Sequence, residues 1–167
     1  MSVQDNPVGV LTNSPPFEYH MLNLSNRMQL SSNPPKNLFS PDLTLTQYSR
    51  GMGAMGLPGD LSSASRFIKA AFTLHHILPA DNEPESVSQF FHIMRSVEQQ
   101  KGCVHLEDGT YEYTRYISCC NTDKGVYYYT TYENSRICAV DMHHENLEGN
   151  ELIPYSFTDV QDIRMQN

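Results

Sequence analysis

The chain has 167 residues, with 11 Lys and Arg against 19 Asp and Glu, and its formal net charge is −8. This length suits one domain, which can bury roughly 70% of the surface that its unfolded form exposes. The negative charge argues against nucleic acid or an anionic membrane as the main partner, because like charges repel at long range. No run of 18 apolar residues is present, so no segment is predicted to span a bilayer. The first five residues lack the pattern of a signal peptide, and we expect a cytoplasmic protein.

The cysteines and histidines do not have the spacing of a metal site. The four cysteines are Cys103, Cys119, Cys120 and Cys138. No C-x-x-C or H-E-x-x-H pattern occurs, and the histidine pairs at 75–76 and 143–144 are not at ligand spacing from the cysteines. We therefore predict reduced thiols and no metal.

The first 60 residues are rich in proline and poor in charge. Residues 8–12 (VGVLT) have the composition of a strand. From residue 23 to 42, Asn, Ser and Pro dominate, which predicts long loops with local turns. Such a segment has few means of closing a core of its own, so we expect it to lie across another surface.

The glycines at 51, 53 and 56 have the spacing G-x-G-x-x-G, which also occurs in dinucleotide-binding loops. A dinucleotide site needs a helix that begins inside the motif. Pro58 and Gly59 would interrupt that helix, and no βαβ pattern surrounds the motif. We therefore predict a tight glycine loop leading into the next helix, and no cofactor.

Two amphipathic helices are predicted next. The first is capped by Asp60, has apolar positions from Leu61 to Leu78, and ends before Pro79. For the second, residues 86–89 (SVSQ) have the form of a capping box, and an apolar stripe follows until Gly102.

From residue 111 the hydrophobic period changes to two. Residues 111–119, 126–132 and 137–142 are predicted strands, and the short polar links between them favour an antiparallel meander. A last short strand is predicted at residues 152–153. Together these elements predict an α+β fold with two core helices, as a single domain over residues 1–167.

Several ordered segments resemble the choloylglycine hydrolase family, which includes bile salt hydrolases and penicillin V acylases. The resemblance runs from about residue 6 nearly to the C-terminus, and is greatest to the bile salt hydrolases. The segments are 6–15 (NPVGVLTNSP), 48–53 (YSRGMG), 57–63 (LPGDLSS), 65–67 (SRF), 88–93 (SQFFHI), 96–102 (SVEQQKG) and 111–114 (YEYT).

This resemblance implies half of an αββα sandwich of the N-terminal nucleophile hydrolase type, which cleaves a linear amide bond. Family members act on glycine- or taurine-conjugated bile acids or on penicillin V, and are typically cytosolic homotetramers. The family nucleophile is a cysteine exposed as the first residue. Its own α-amine acts as the base, which is reasonable because an α-amine titrates near neutral pH.

Two functional positions carry over from the family. Asn13 matches an asparagine whose side-chain amide helps to form the oxyanion hole. Arg66 matches an arginine beside the nucleophile, where a fixed positive charge favours the thiolate. Without the resemblance, Asn13 would be interpreted as a turn residue before Ser-Pro, and Arg66 as a solvated charge on a helix.

The resemblance covers the C-terminal half of the family pattern, so the nucleophilic cysteine is not among the matched residues. Ser2 could act instead if Met1 were removed, but it precedes Asn13 by only eleven residues, where the family pattern has an interior strand. We therefore expect a bile salt hydrolase-like amide hydrolase that is inactive as this polypeptide alone. Loss of a nucleophile costs on the order of 10⁶ in rate. The alternatives are a non-catalytic fragment that assembles with an N-terminal half, and a penicillin V acylase-type fragment.

Overall fold

The computed structural model describes residues 5–167, and the chain divides into two compact units, Met1–Leu78 and Pro79–Asn167. Helices and a sheet are both present, so the predicted α+β class is confirmed. In the described part, no helix is long and apolar enough to cross a membrane. The regular elements are the helices α1 (Phe17–Ser25), α2 (Ser63–His76) and α3 (Glu83–Arg95), and the strands β1 (Tyr116–Asn121), β2 (Val126–Thr131) and β3 (Cys138–Asp141).

The core of the first unit is formed where α1 packs against α2. Phe67 and Ile68 of α2 are fully buried there. Phe17 and Met21 of α1 pack onto this cluster. Helix α1 was not predicted, because its N-terminus has no side-chain cap to mark it. Tertiary packing of its apolar face stabilises it instead.

Helix α2 begins at Ser63, two residues later than predicted. Ser62 is the N-cap, and its side chain accepts a hydrogen bond from the Ser65 amide at 3.3 Å. The prediction that Asp60 is the cap is therefore wrong. Asp60 lies before the helix, where its carboxylate accepts hydrogen bonds from the Ser62 amide at 3.0 Å and the Ser65 hydroxyl at 2.5 Å.

Residues 8–12 do not form the predicted strand. No neighbouring strand pairs with them among residues 5–167, and a strand needs such a partner for its hydrogen bonds. The segment is held by side chains: His75 Nε2 lies 3.1 Å from the Val8 carbonyl oxygen, and Asn6 donates to the Val10 carbonyl at 3.0 Å.

The predicted tight glycine loop is confirmed. It contains a single 3₁₀ turn, Met52–Ala54, and Gly51 has a φ of 78°. A Cβ on Gly53 would lie 1.9 Å from the carbonyl oxygen of Asn33, so only glycine fits there. The glycine at position 53 therefore allows the loop backbone to pass close to the backbone at Asn33.

In the second unit, α3 begins at Glu83 rather than at the predicted capping box. Asn82 is the N-cap, and its side chain accepts from the Glu85 amide at 3.1 Å. Pro84 follows in the first turn, where its missing amide costs nothing. The helix ends at Arg95, so the stop predicted at Gly102 is also wrong.

The three strands form an antiparallel meander in the order β1-β2-β3, as predicted. Cys119 pairs with Tyr128, and Tyr128 pairs with Ala139. Strand β1 begins at Tyr116, because residue 111 makes only an isolated bridge with His105. The strand predicted at residues 152–153 is not formed.

Glu83 connects α3 to the first hairpin of the sheet. Its carboxylate accepts hydrogen bonds from Asn121 at the end of β1 and from the Tyr128 hydroxyl of β2 at 3.0 Å. Lys124, in the turn between these strands, donates to it at 2.5 Å. The Lys124 ammonium, with the other two donors, lowers the pKa of Glu83.

Candidate active site

Asn13 is exposed and lies in the irregular segment that precedes α1. Its Oδ1 atom accepts a hydrogen bond from the Ser63 hydroxyl at 3.0 Å. The Nδ2 group donates to no acceptor among residues 5–167. The contact with Ser63 therefore orients the amide and leaves its two N–H bonds for another group, as an oxyanion donor requires.

Arg66 is half-buried in the first turn of α2. Its Nε atom donates to the Leu61 carbonyl oxygen at 3.1 Å, which fixes the plane of the guanidinium. In the part of the chain that the structure describes, no carboxylate forms an ion pair with Arg66. The guanidinium is thus held in place with its positive charge uncompensated, so it can stabilise a nearby anion.

The first turn of α2 is connected to both predicted site residues. Ser63, which binds Asn13, and Arg66 are three residues apart on α2 and so lie on the same helix face. Asn13 and Ser63 are 50 residues apart in the chain. The first turn of α2 therefore carries the arginine and anchors the asparagine.

Capping interactions stabilise this turn. Hydrogen bonds from Ser62 and then Ser65 lower the pKa of the Asp60 carboxyl to about 2, so Asp60 is ionised at neutral pH. A negative charge before the start of a helix is favourable, because the helix dipole is positive at its N-terminus. Asp60 and Ser62 therefore stabilise the helix end that carries Ser63 and Arg66.

Three residues around Asn13 were missed by sequence reasoning: Ser63, Thr12 and His20. Thr12 precedes Asn13, and its hydroxyl lies 3.0 Å from Nε2 of the fully buried His20. No sequence motif indicates these contacts: Ser63 is 50 residues from Asn13, and His20 is eight residues from Thr12.

Residues 1–78, which contain Asn13 and Arg66, include no cysteine, and all four cysteines belong to the second unit. Ser2 lies outside the described residues. Burial raises the pKa of Cys119, the opposite of what a reactive thiolate needs. No cluster of His, Cys, Asp and Glu within residues 5–167 could hold a metal ion.

The second unit has an apolar surface pocket of about 410 Å³ on one face of the sheet. It is lined by Tyr116, Tyr127, Tyr129, Val140, Tyr155, Ser156 and Phe157. Burial is also the first cause of the raised pKa of Tyr129. This lining offers apolar contact area and contains no carboxylate, imidazole or amine.

Comparison with known proteins places the chain in a defined family. The model of the linear amide C–N hydrolases, choloylglycine hydrolase family, matches residues 1–155. A bile salt hydrolase/transferase of Lactiplantibacillus plantarum is 58% identical over 155 residues, which are 93% of this chain and 48% of that protein. A bile salt hydrolase/transferase of Clostridium perfringens is 40% identical over 167 residues, 100% of this chain and 51% of that protein.

Solved structures give the same result. A crystal structure of a variant of the conjugated bile acid hydrolase from Clostridium perfringens matches with a TM-score of 0.84 and 39% identity, covering 98% of this chain and 50% of that one. Penicillin V acylase from Agrobacterium tumefaciens matches with a TM-score of 0.57 at 19% identity and shares the fold. The chain spans about half the length of the bile salt hydrolase relatives that it matches and 35% of the penicillin V acylase. The predicted fold class is confirmed, since the chain has the fold of about half of the bile acid hydrolase structure.

Proposed function

Because this chain belongs to the choloylglycine hydrolase family of linear amide C–N hydrolases, we propose that it carries half of an amide-hydrolase site. The substrate class that we propose is bile acids conjugated to glycine or taurine. The names of the relatives support this choice, since those from Lactiplantibacillus plantarum and Clostridium perfringens are bile salt hydrolase/transferases. One observation carries the proposal. Hydrogen bonds hold Asn13 and Arg66 at one turn of α2, and the Asn13 Nδ2 group and the Arg66 terminal nitrogens make no hydrogen bond within the described residues.

In this proposal, Asn13 donates its Nδ2 hydrogens to the oxyanion that develops when a nucleophile attacks the amide carbonyl. The bond from Ser63 orients the amide beforehand, so little reorganisation is needed at the moment of reaction. Arg66 supplies a fixed positive charge that favours the thiolate form of the attacking cysteine. The cysteine and its α-amine come from outside this polypeptide.

The 167-residue polypeptide alone is therefore proposed to be inactive. Large apolar side chains are exposed at its surface, among them Leu38, Phe39 and Leu152, each more than 80% exposed. Exposed apolar side chains of this kind support assembly with further protein.

The direct test joins this chain to the part of the Lactiplantibacillus plantarum relative that it does not cover. This chimera is incubated separately with taurocholate, glycocholate and penicillin V. Release of taurine or glycine is measured for the bile salts, and release of the side-chain acid is measured for penicillin V. We expect hydrolysis of the bile salts, and no release by the 167-residue chain alone. An inactive but folded chimera, or turnover by the chain alone, would contradict the proposal.

Substitutions in the chimera test the two roles. Asn13→Ala should lower kcat by about 10²- to 10³-fold, the usual cost of one oxyanion donor. The matched control is Asn150→Ala, an exposed asparagine whose side chain makes no hydrogen bond among the described residues. Arg66→Gln should lower the rate and raise the apparent pKa of the nucleophile, whereas Arg50→Gln, at an exposed arginine, should do neither.

The second candidate function is a non-catalytic fragment that assembles with a separately made N-terminal half. The large exposed apolar surface favours it. Co-expression of this chain with the uncovered part of the Lactiplantibacillus plantarum relative tests it, with co-purification as the measurement. A complex without amidase activity would favour this candidate over the enzyme.

A further inference from the structure

His20 is a fully buried polar residue that the proposed mechanism does not use. Its ring stacks on Phe67 with centroids 4.3 Å apart and planes 19° from parallel. The Nε2 atom lies 3.0 Å from the Thr12 hydroxyl. The Nδ1 atom is buried and has no partner among the described residues. Only one of the two ring nitrogens has a hydrogen-bond partner among the described residues. Burial of an unpaired polar atom costs folding free energy, so this histidine calls for an explanation.

The Thr12 hydroxyl connects His20 to the backbone on the other side of Asn13. Its oxygen lies 3.3 Å from the Ser14 carbonyl oxygen, which can only accept a hydrogen bond. With the hydroxyl proton directed to Ser14, the Thr12 oxygen accepts a hydrogen bond from Nε2–H of His20. This arrangement requires the Nε2–H tautomer of His20.

We propose that His20 is a positioning residue for the oxyanion donor Asn13, acting through Thr12. The inference rests on the proposed function and deepens it. Thr12 and Ser14 are the two chain neighbours of Asn13, and the hydroxyl-to-carbonyl bond between them restricts the backbone at Asn13. Stacking on Phe67 ties the imidazole to the core of the first unit. The result is a continuous connection from the core to the amide that faces the reacting carbonyl.

The kinetic test uses the chimera described above. Thr12→Val removes the hydroxyl at nearly constant volume, and His20→Phe keeps a ring against Phe67 but removes the N–H donor. Each should lower kcat by about 10- to 100-fold, the range expected for a displacement of up to about 1 Å, and leave KM within about twofold. Thr12→Ser should restore most of the rate, and Thr46→Val, at an exposed threonine, is the matched control.

The two proposals fail in different ways in this experiment. If Asn13→Ala retains the parental rate, the proposed function is wrong. If Asn13→Ala is impaired while Thr12→Val and His20→Phe keep the parental kcat, only the positioning role is wrong. A rise in KM with kcat unchanged would also overturn the positioning role, because it would indicate a loss of substrate binding.

A second measurement needs only the 167-residue chain. Long-range ¹H–¹⁵N spectra of the histidine ring should show His20 protonated at Nε2. Thr12→Val should shift the side-chain amide resonances of Asn13, and Thr46→Val should not. An Nδ1–H tautomer, or unchanged Asn13 resonances in Thr12→Val, would overturn the proposal.

Discussion

Phe67 occupies the centre of the first unit, so its truncation should destabilise this unit severely. The side chain is fully buried, and its ring contacts His20 at 4.3 Å and Phe17 at 6.3 Å between centroids. Replacement of a buried Phe by Ala typically costs 3–5 kcal/mol, because transfer free energy is lost and a cavity remains. A small domain is stable by only about 5–15 kcal/mol, so Phe67→Ala removes a large share of the stability of this unit.

Urea unfolding followed by far-UV circular dichroism measures this loss, since α1 and α2 contribute to the helical signal. Ile68→Val, at the neighbouring buried position, should cost only about 0.5–1.5 kcal/mol. Leu38→Ala, at a side chain that is 91% exposed, should change stability by less than about 0.5 kcal/mol. A loss below about 1 kcal/mol in Phe67→Ala would refute the placement of Phe67 at the core.

Two further predictions concern the second unit and the glycine loop. The lowered pKa of Glu83 means that its contribution to stability is present above its ordinary pKa of 4.5 and is lost as the pH falls through the lower folded value. Glu83→Gln should therefore reduce thermal stability at pH 7 and flatten its dependence on pH in the acidic range below that ordinary pKa; an unchanged profile would contradict the bond to Lys124. Gly53→Ala should destabilise the loop, because the added Cβ would collide with the Asn33 carbonyl, whereas Gly59→Ala meets no atom within 4 Å and should be neutral by differential scanning fluorimetry.

Strands β2 and β3 could be predicted closely from the sequence, whereas β1 begins five residues later than predicted, and the helix boundaries also differ. Strands β2 and β3 lie within one residue of their predicted ends, because period-two patterns and short polar turns specify an antiparallel meander. At each helix start, several Asp, Asn and Ser residues compete as caps, and tertiary packing selects one of them. Ser62 and Asn82 are the caps, and both differ from the predicted ones.

The candidate site rests on two kinds of sequence signal with different content. Family resemblance pointed to Asn13 and Arg66, whereas composition and spacing pointed to no reaction at all. The contacts that position Asn13 come from Ser63, 50 residues away, and from a buried histidine on a helix with weak local signals. Such contacts depend on tertiary packing in the first unit. The hydrophobic pattern of a single helix does not specify which residues of another segment it will contact.

The first turn of α2 explains why core packing and site geometry are coupled in this unit. Arg66 and Phe67 are consecutive residues, so they point about 100° apart around the helix axis. Any rotation that repacks Phe67 against His20 must therefore also move Arg66 and the Ser63 hydroxyl that holds Asn13. Core substitutions such as Ile68→Val should consequently alter the rate of the chimera more than exposed substitutions of equal cost in stability, which kinetics at matched free energies of unfolding can measure. Equal effects on the rate would show that the core and the site are independent.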